Sequence, residues 1–179
     1  MSHSPEDFTT ALIGLGKANA KLWVYIENRP PLPYYQELSE LTAMQAGEIA
    51  FIAKQTGNHW RKIFNVYAKL VHQLNISDPE KTWQMLRDST LLQAEGNECL
   101  LFSPPKLAKL DDNKVHVIMG RTYASKITQV EDYHWLSPEF AVHKNKPVII
   151  CPYFDYRQLS NIKITYLCQL INNFAIIND

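Results

Sequence analysis

The sequence predicts an α/β protein, three layers deep (α/β/α), around a four-stranded, mainly parallel sheet. Three observations lead there. Four short apolar runs, at residues 22–26, 99–102, 115–119 and 147–151, are nearly continuous in apolar character, which suits strands covered on both faces. Stretches with helical spacing separate them, so the strands need crossover connections and run mainly parallel. Each run also opens into polar or Pro-rich residues. Right-handed crossovers put all four strand ends on one edge, and open α/β sheets bind ligands at the carboxyl ends of their strands.

Taken in order, residues 1–20 read as a lead-in with a helical turn near Phe8 to Leu15, limited by Gly14 and Gly16. Residues 21–179 read as one domain. The first strand spans 21–27, and Pro30, Pro31 and Pro33 then force the chain out of the sheet, because proline has no N–H for the ladder. Residues 38–55 carry a mixed helical signal interrupted by Gly47. Trp60, Ile63, Phe64, Tyr67, Leu70, Val71 and Leu74 recur at three- and four-residue steps, the stripe of an amphipathic helix. Asn58 can cap that helix, and Lys62 and Lys69 lie off its apolar stripe. Ser77 or Asp78 as N-cap, with Pro79 and Glu80 behind it, opens a further helix that carries Trp83 and Leu86.

Gly96 and Asn97 turn the chain into the second strand. Residues 107–113 are polar and read as a short helix or loop. The third strand ends at Gly120, and a helix follows through Ala124 and Ile127. Within 128–146, Tyr133, Trp135, Leu136 and Phe140 offer anchors, but no period wins. The last helix starts at Ser160 or Asn161 as N-cap and carries Ile164, Leu167, Cys168, Ile171 and Phe174.

Composition excludes several classes. Apolar residues make up 46% and charged residues 20%, ordinary globular usage. Eighteen basic and eighteen acidic side chains cancel. That argues against a general electrostatic grip on a phosphate backbone and leaves room only for a local basic patch. Cys99, Cys151 and Cys168 are odd in number, with no CxxC pair; they read as buried reduced thiols, which fits a reducing compartment. The polar N-terminus lacks signal-peptide features, and no apolar run reaches bilayer length. The expectation is a soluble cytoplasmic protein without a membrane partner. The histidines show no metal-ligand spacing, so neither a metal nor a cofactor is expected. Gly14 and Gly16 precede the first strand rather than follow it, so they do not form a dinucleotide fingerprint.

Three loops can carry chemistry. After the first strand, Glu27 can serve as a general base, Asn28 can orient a water or read an amide edge, and Arg29 offers a planar fork for phosphate or carboxylate. The plain alternative is a surface turn. At Gly57 to Arg61, a helix start with Asn58 can hold an anion or polar ligand, with His59 and Arg61 adding donors, or simply cap the helix with Trp60 in the core. After the fourth strand, Tyr153, Phe154 and Tyr156 interleave with Asp155 and Arg157, followed by Asn161. Those rings can stack on a base or sugar, or plug the loop into the core beside an Asp155–Arg157 surface pair.

In this order, the loops resemble those of the uracil-DNA glycosylase superfamily, particularly its mismatch-specific branch. Residues 26–30 resemble its water-activating loop. Residues 57–60 resemble its Gly-Asn-aromatic helix start. Residues 117–120 resemble its third strand end, and residues 151–161 stand where its last loop leads into the C-terminal helix. The resemblance spans about residues 20 to 175 and implies a glycosylase-like fold and base excision by N-glycosidic hydrolysis. A base would be extruded into a pocket between the loops. Glu27 or Asn28 would position water, Tyr34, Tyr35 or Tyr153 would stack on the base, and Arg157 would contact a phosphate. The implied partner is a nucleobase, a nucleotide, or single-stranded or damaged DNA. The competing reading is a non-enzymatic interaction protein whose Pro- and Tyr-rich loops meet a protein partner. A cleft needs Asn28, Asn58 and Tyr153 to converge around a cavity; a partner surface leaves them apart.

Overall fold

The computed structural model describes residues 11–75 and 78–177. In chain order the elements are β1 (Gly14–Gly16), β2 (Leu22–Tyr25), α1 (Pro33–Gln36), β3 (Leu41–Thr42), α2 (Glu48–Thr56), α3 (Asn58–Leu74) and α4 (Trp83–Ser89). Then come β4 (Glu98–Leu101), β5 (Val115–Met119), α5 (Arg121–Ile127), β6 (Tyr133–Trp135), β7 (Ala141–His143), β8 (Val148–Cys151) and α6 (Asn161–Asn172). All strands join one sheet in the order β3-β1-β4-β2-β5-β8-β7-β6.

The four apolar runs form the centre of that sheet. β4, β2, β5 and β8 are parallel neighbours, with Val24 paired to Leu100 on one side and Val117 on the other. The sheet nevertheless has eight strands, not the four expected. The additional strands are two or three residues long, too short to display a period of two. β1 lies within the expected lead-in and runs antiparallel to β4. Its residues are Gly-Leu-Gly because a Cβ at Gly14 would fall on the carbonyl oxygen of Leu100. Phe8, also assigned to that lead-in, lies outside the described residues. β3 occupies part of the stretch expected to be helical, and the helix begins only after Gly47, whose φ of 83° marks its N-cap. β6 and β7 form an antiparallel pair that extends the sheet beyond β8.

Alternation along the central strands makes two cores. Leu22, Val24, Leu100, Val117 and Ile149 face one way and pack with the apolar sides of α2, α3, α4 and α6. Tyr25, Leu101, Ile118 and Ile150 face the other, with Tyr123 and Ala124 of α5 and the loop residues Leu107 and Leu110. The layers are therefore uneven: one face is covered by several helices, the other by the seven-residue α5 and a loop. α3 buries the predicted stripe, and its Tyr67 hydroxyl donates to the Cys99 carbonyl at 2.6 Å.

Two helix starts differ from expectation. α3 is capped by Gly57 at φ 88° rather than by Asn58. α4 begins at Trp83, where the Thr82 hydroxyl accepts from the Met85 N–H at 3.2 Å. Asp78 instead closes a local turn onto the Glu80 N–H, and Ser77 lies outside the described residues. α6 begins after Ser160, as predicted. The three cysteines are buried and free, and no described helix is long and apolar enough to cross a membrane.

Candidate functional site

The chain leaves β2, adds β4 on one side, then crosses to β5 on the other. The order of strands thus reverses between β2 and β5, the position where α/β sheets open a crevice. The residues that follow the strands meet there. Glu27 follows β2, Gly120 and Arg121 follow β5, and Pro152 and Tyr153 follow β8. Together with Tyr123 they line a cavity of about 390 Å³. Gly120 makes the turn from β5 into α5 at φ 95°, a conformation side-chain-bearing residues rarely adopt. A Cβ there would meet no neighbouring atom, so the backbone angle, not space, calls for glycine.

Tyr153 organises the rim. Its hydroxyl donates to Asn28 Oδ1 at 3.2 Å and lies 3.0 Å from His59 Nε2. A hydroxyl has one proton and the amide oxygen only accepts, so His59 Nε2–H donates to the phenol oxygen. The two rings stack, with centroids 5.7 Å apart. Burial raises the pKa of Tyr153; the hydrogen bond to Asn28 opposes the shift, and the charges of Asp155 and Glu27 add to it. Burial, with a smaller contribution from Glu27, pushes Tyr123 up to about 12. Both phenols therefore keep their protons at neutral pH; Tyr153 gives its own to Asn28, and Tyr123 can donate into the cavity. Glu27 Oε1 accepts from Lys126 Nζ at 2.6 Å.

The expected site residues divide into two sets. Glu27, Asn28, His59 and Tyr153 meet at or beside the cavity. Asn28 does not line it but holds Tyr153. Arg29 turns away: its Nη1 donates to the carbonyls of Tyr35, Gln36 and Leu38 at 3.0, 3.1 and 2.9 Å. Those bonds make it a staple for the end of α1 and take up one prong, Nη1, of the fork expected to bind an anion. Tyr34 lies edge-on to Tyr35 and lines a different hollow with Glu37 and Glu40. Asn58 accepts from Arg61 Nη1 at 3.3 Å, so of Asn28, Asn58 and Tyr153 two converge at the rim cavity. Asp155 accepts from the Arg157 backbone N–H at 2.8 Å and lies 3.7 Å from Lys62, so it is not paired with the Arg157 guanidinium. That guanidinium rests over the Tyr156 ring. Asn161 accepts from Lys69 at 3.4 Å. These last residues border the outer side of α3.

The sequence reading missed Gly120, Tyr123, Lys126 and Glu139 as site residues. Gly120 was visible as a strand end and Tyr123 follows it by three residues, a signal that could have been used. Glu139 comes from the stretch without a period. A second cavity, of about 420 Å³, lies over the thinly covered face beside Trp23, Phe102 and Leu110. At its wall the Tyr25 hydroxyl lies 2.7 Å from His116 Nδ1, and His116 Nε2 lies 2.8 Å from the Asp111 carbonyl. A carbonyl only accepts, so Nε2 carries the proton and Nδ1 accepts from Tyr25. The pair satisfies itself in a mostly apolar chamber. The smaller rim cavity, with the Glu27 carboxylate as acceptor and the Tyr123 phenol as donor, is the better place for chemistry. Among the described residues no cluster of three His, Cys, Asp or Glu side chains is placed to hold a metal ion.

A sheet with a parallel centre and a polar crevice at its switch point defines an α/β protein with a cavity at its strand ends. Residues 13–172 match a family of unknown function, DUF6942, and the chain belongs to that family. No curated protein and no solved structure is significantly similar to it.

Proposed function

We propose that the protein binds a small polar ligand carrying a nucleobase in the rim cleft, and that Glu27 activates water there for N-glycosidic hydrolysis. The observation that carries the reading is the meeting of Glu27, Gly120 and Tyr153, from three parallel strand ends, on one cavity of about 390 Å³. That volume falls in the range of small-molecule sites. The Tyr153 ring offers a stacking face, and Tyr123 offers a neutral donor to a heterocycle's edge. The likeness of the loops to those of uracil-DNA glycosylases supports the same chemistry. In that reaction Glu27 takes a proton from water as the water oxygen bonds the anomeric carbon. The C–N bond breaks, its electron pair leaves with the base, and the base takes up a proton. Lys126 holds the carboxylate in place, and Asn28 is a positioning residue acting through Tyr153. A reducing cytoplasm suits the three buried thiols. Tyr34 and Tyr156 line separate hollows, which speaks less for a single protein-partner surface.

The test is titration with uracil, the other free bases and their deoxynucleosides, alongside incubation with single-stranded and mismatched DNA carrying damaged bases. Glu27→Gln is expected to keep binding and lose abasic product by about a hundredfold or more. Absence of both base binding and abasic product, at every salt concentration, overturns the reading.

A further inference from the structure

The outer side of α3 carries a row of basic side chains on a chain with no net charge. Asn58, Arg61, Asn65 and Lys69 recur at three- and four-residue steps, with Lys62 beside them, opposite the buried stripe. Two hollows, of about 270 and 190 Å³, adjoin at Arg61 and Asn65, which line both; the proposed groove runs over these two residues from one hollow to the other. Lys54 and Arg87 line one end, and Lys69 and Tyr156 the other. The carboxylates that line the groove or meet its cations are Asp88, 2.8 Å from Arg87, and Asp155, 3.7 Å from Lys62. Arg61 and Lys69 bond amide oxygens instead, those of Asn58 and Asn161. Neither forms an ion pair among the described residues.

Aromatic rings lie between the charges. Tyr156 is half exposed, with Lys62 at 4.9 Å and Arg157 at 5.7 Å from its ring centre. Trp83 has Lys69 at 5.1 Å and Arg87 at 5.5 Å. Trp83 is partly buried against the core, so Tyr156 is the exposed ring among these cations. Cations along a helix face with an exposed ring among them suit a flexible polyanion with planar units: the cations neutralise phosphates while the tyrosine stacks on a base.

We infer that this groove binds single-stranded nucleic acid, tracking its backbone along α3. An acidic polypeptide would use the charges but has no need of the ring. The surface is separate from the rim cleft, and the inference does not depend on the chemistry proposed there.

The experiment is fluorescence anisotropy with fluorescein-labelled oligothymidylate of about 15 nucleotides, within the span of known single-strand sites, across a range of salt. Binding is expected to weaken with salt, each phosphate contact adding about 0.7 to the slope of log affinity against log salt. Arg61→Glu with Lys69→Glu should weaken binding at least tenfold and make the slope shallower. Tyr156→Ala should weaken it by about fivefold or more, as loss of a stacked base requires. All three side chains are on the surface, so unchanged melting temperatures and unchanged uracil titration in these variants would separate loss of the groove from loss of fold or cleft. Absent or salt-independent binding overturns the inference, as does wild-type affinity in the double variant. Equal affinity for polyglutamate, with Tyr156→Ala silent, also overturns it, in favour of an acidic polypeptide.

Discussion

Tyr153 links three loops through one hydroxyl and one ring. The hydroxyl ties Asn28, after β2, to His59, at the start of α3, while the ring borders the cavity. These two contributions can be separated. Tyr153→Phe keeps the ring and gives up two partly exposed hydrogen bonds, worth about 1 kcal/mol each. Tyr153→Ala also gives up the stacking face, worth about 1–3 kcal/mol on a base. Uracil titration should therefore show a modest loss for Phe and a clearly greater one for Ala. Equal losses would mean that the hydroxyl, not the ring, recognises the ligand. Arg29 shows how differently a residue of the same loop can act. Next to Asn28 in sequence, it turns its Nη1 to three carbonyls at and just after the end of α1.

Among the elements, β1 shows the closest constraint. Its backbone approaches β4 so tightly that the atom alanine would add at Gly14 collides with a carbonyl rather than a movable side chain. Gly14→Ala should therefore destabilise the protein by about 1–3 kcal/mol, the usual range for overpacking, read as a lower urea midpoint with an unchanged m-value. Gly120 contrasts with it, since there the space is open and only φ is special. The helices follow a simpler logic. The α3 stripe was plain because seventeen residues hold one period. The starts of α3 and α4 were misplaced by one to a few residues. Several capping residues lie close together there, and packing selects among them.

Across the whole molecule, two buried titratable groups pull stability in opposite directions with pH. Glu98 is buried in β4, its oxygens accepting from the Leu92 and Asn97 N–H groups at 2.9 and 3.0 Å. Burial outweighs those bonds and raises it from 4.5 to about 7. The folded state then holds the proton more tightly than the unfolded chain, so this contribution falls as pH rises from 4.5 to 7. For His116, burial lowers the value from 6.5 to about 4. Its proton is held more tightly by the unfolded chain, so its contribution rises with pH from 4 to 6.5. In urea denaturation across pH 4–8, the stability of wild type minus that of Glu98→Gln should decline by a few kcal/mol between pH 4.5 and 7. A constant difference would show that Glu98 carries no such shift. The glutamine leaves one of the two N–H groups without its acceptor, which lowers stability at all pH values but does not tilt the profile.

What could be read from residues alone were the four central strands, their common direction and the loops that follow them. Buried parallel strands are apolar along their whole length, and prolines and glycines mark their ends. The short strands β1, β3, β6 and β7 could not be read in this way. Two or three residues cannot establish a period, and the partners of β1 and β3 lie far away in the chain. The same holds for the candidate site. Glu27, Asn28, His59 and Tyr153 were visible as loop residues, but which of them face a cavity depends on strand order and on hydrogen bonds between distant segments. That is also why Arg29 could not be recognised as a staple, nor the cations around α3 as neighbours. Composition counts charges without placing them, and only the folded backbone brings Lys54, Arg61, Lys69 and Arg87 onto one side.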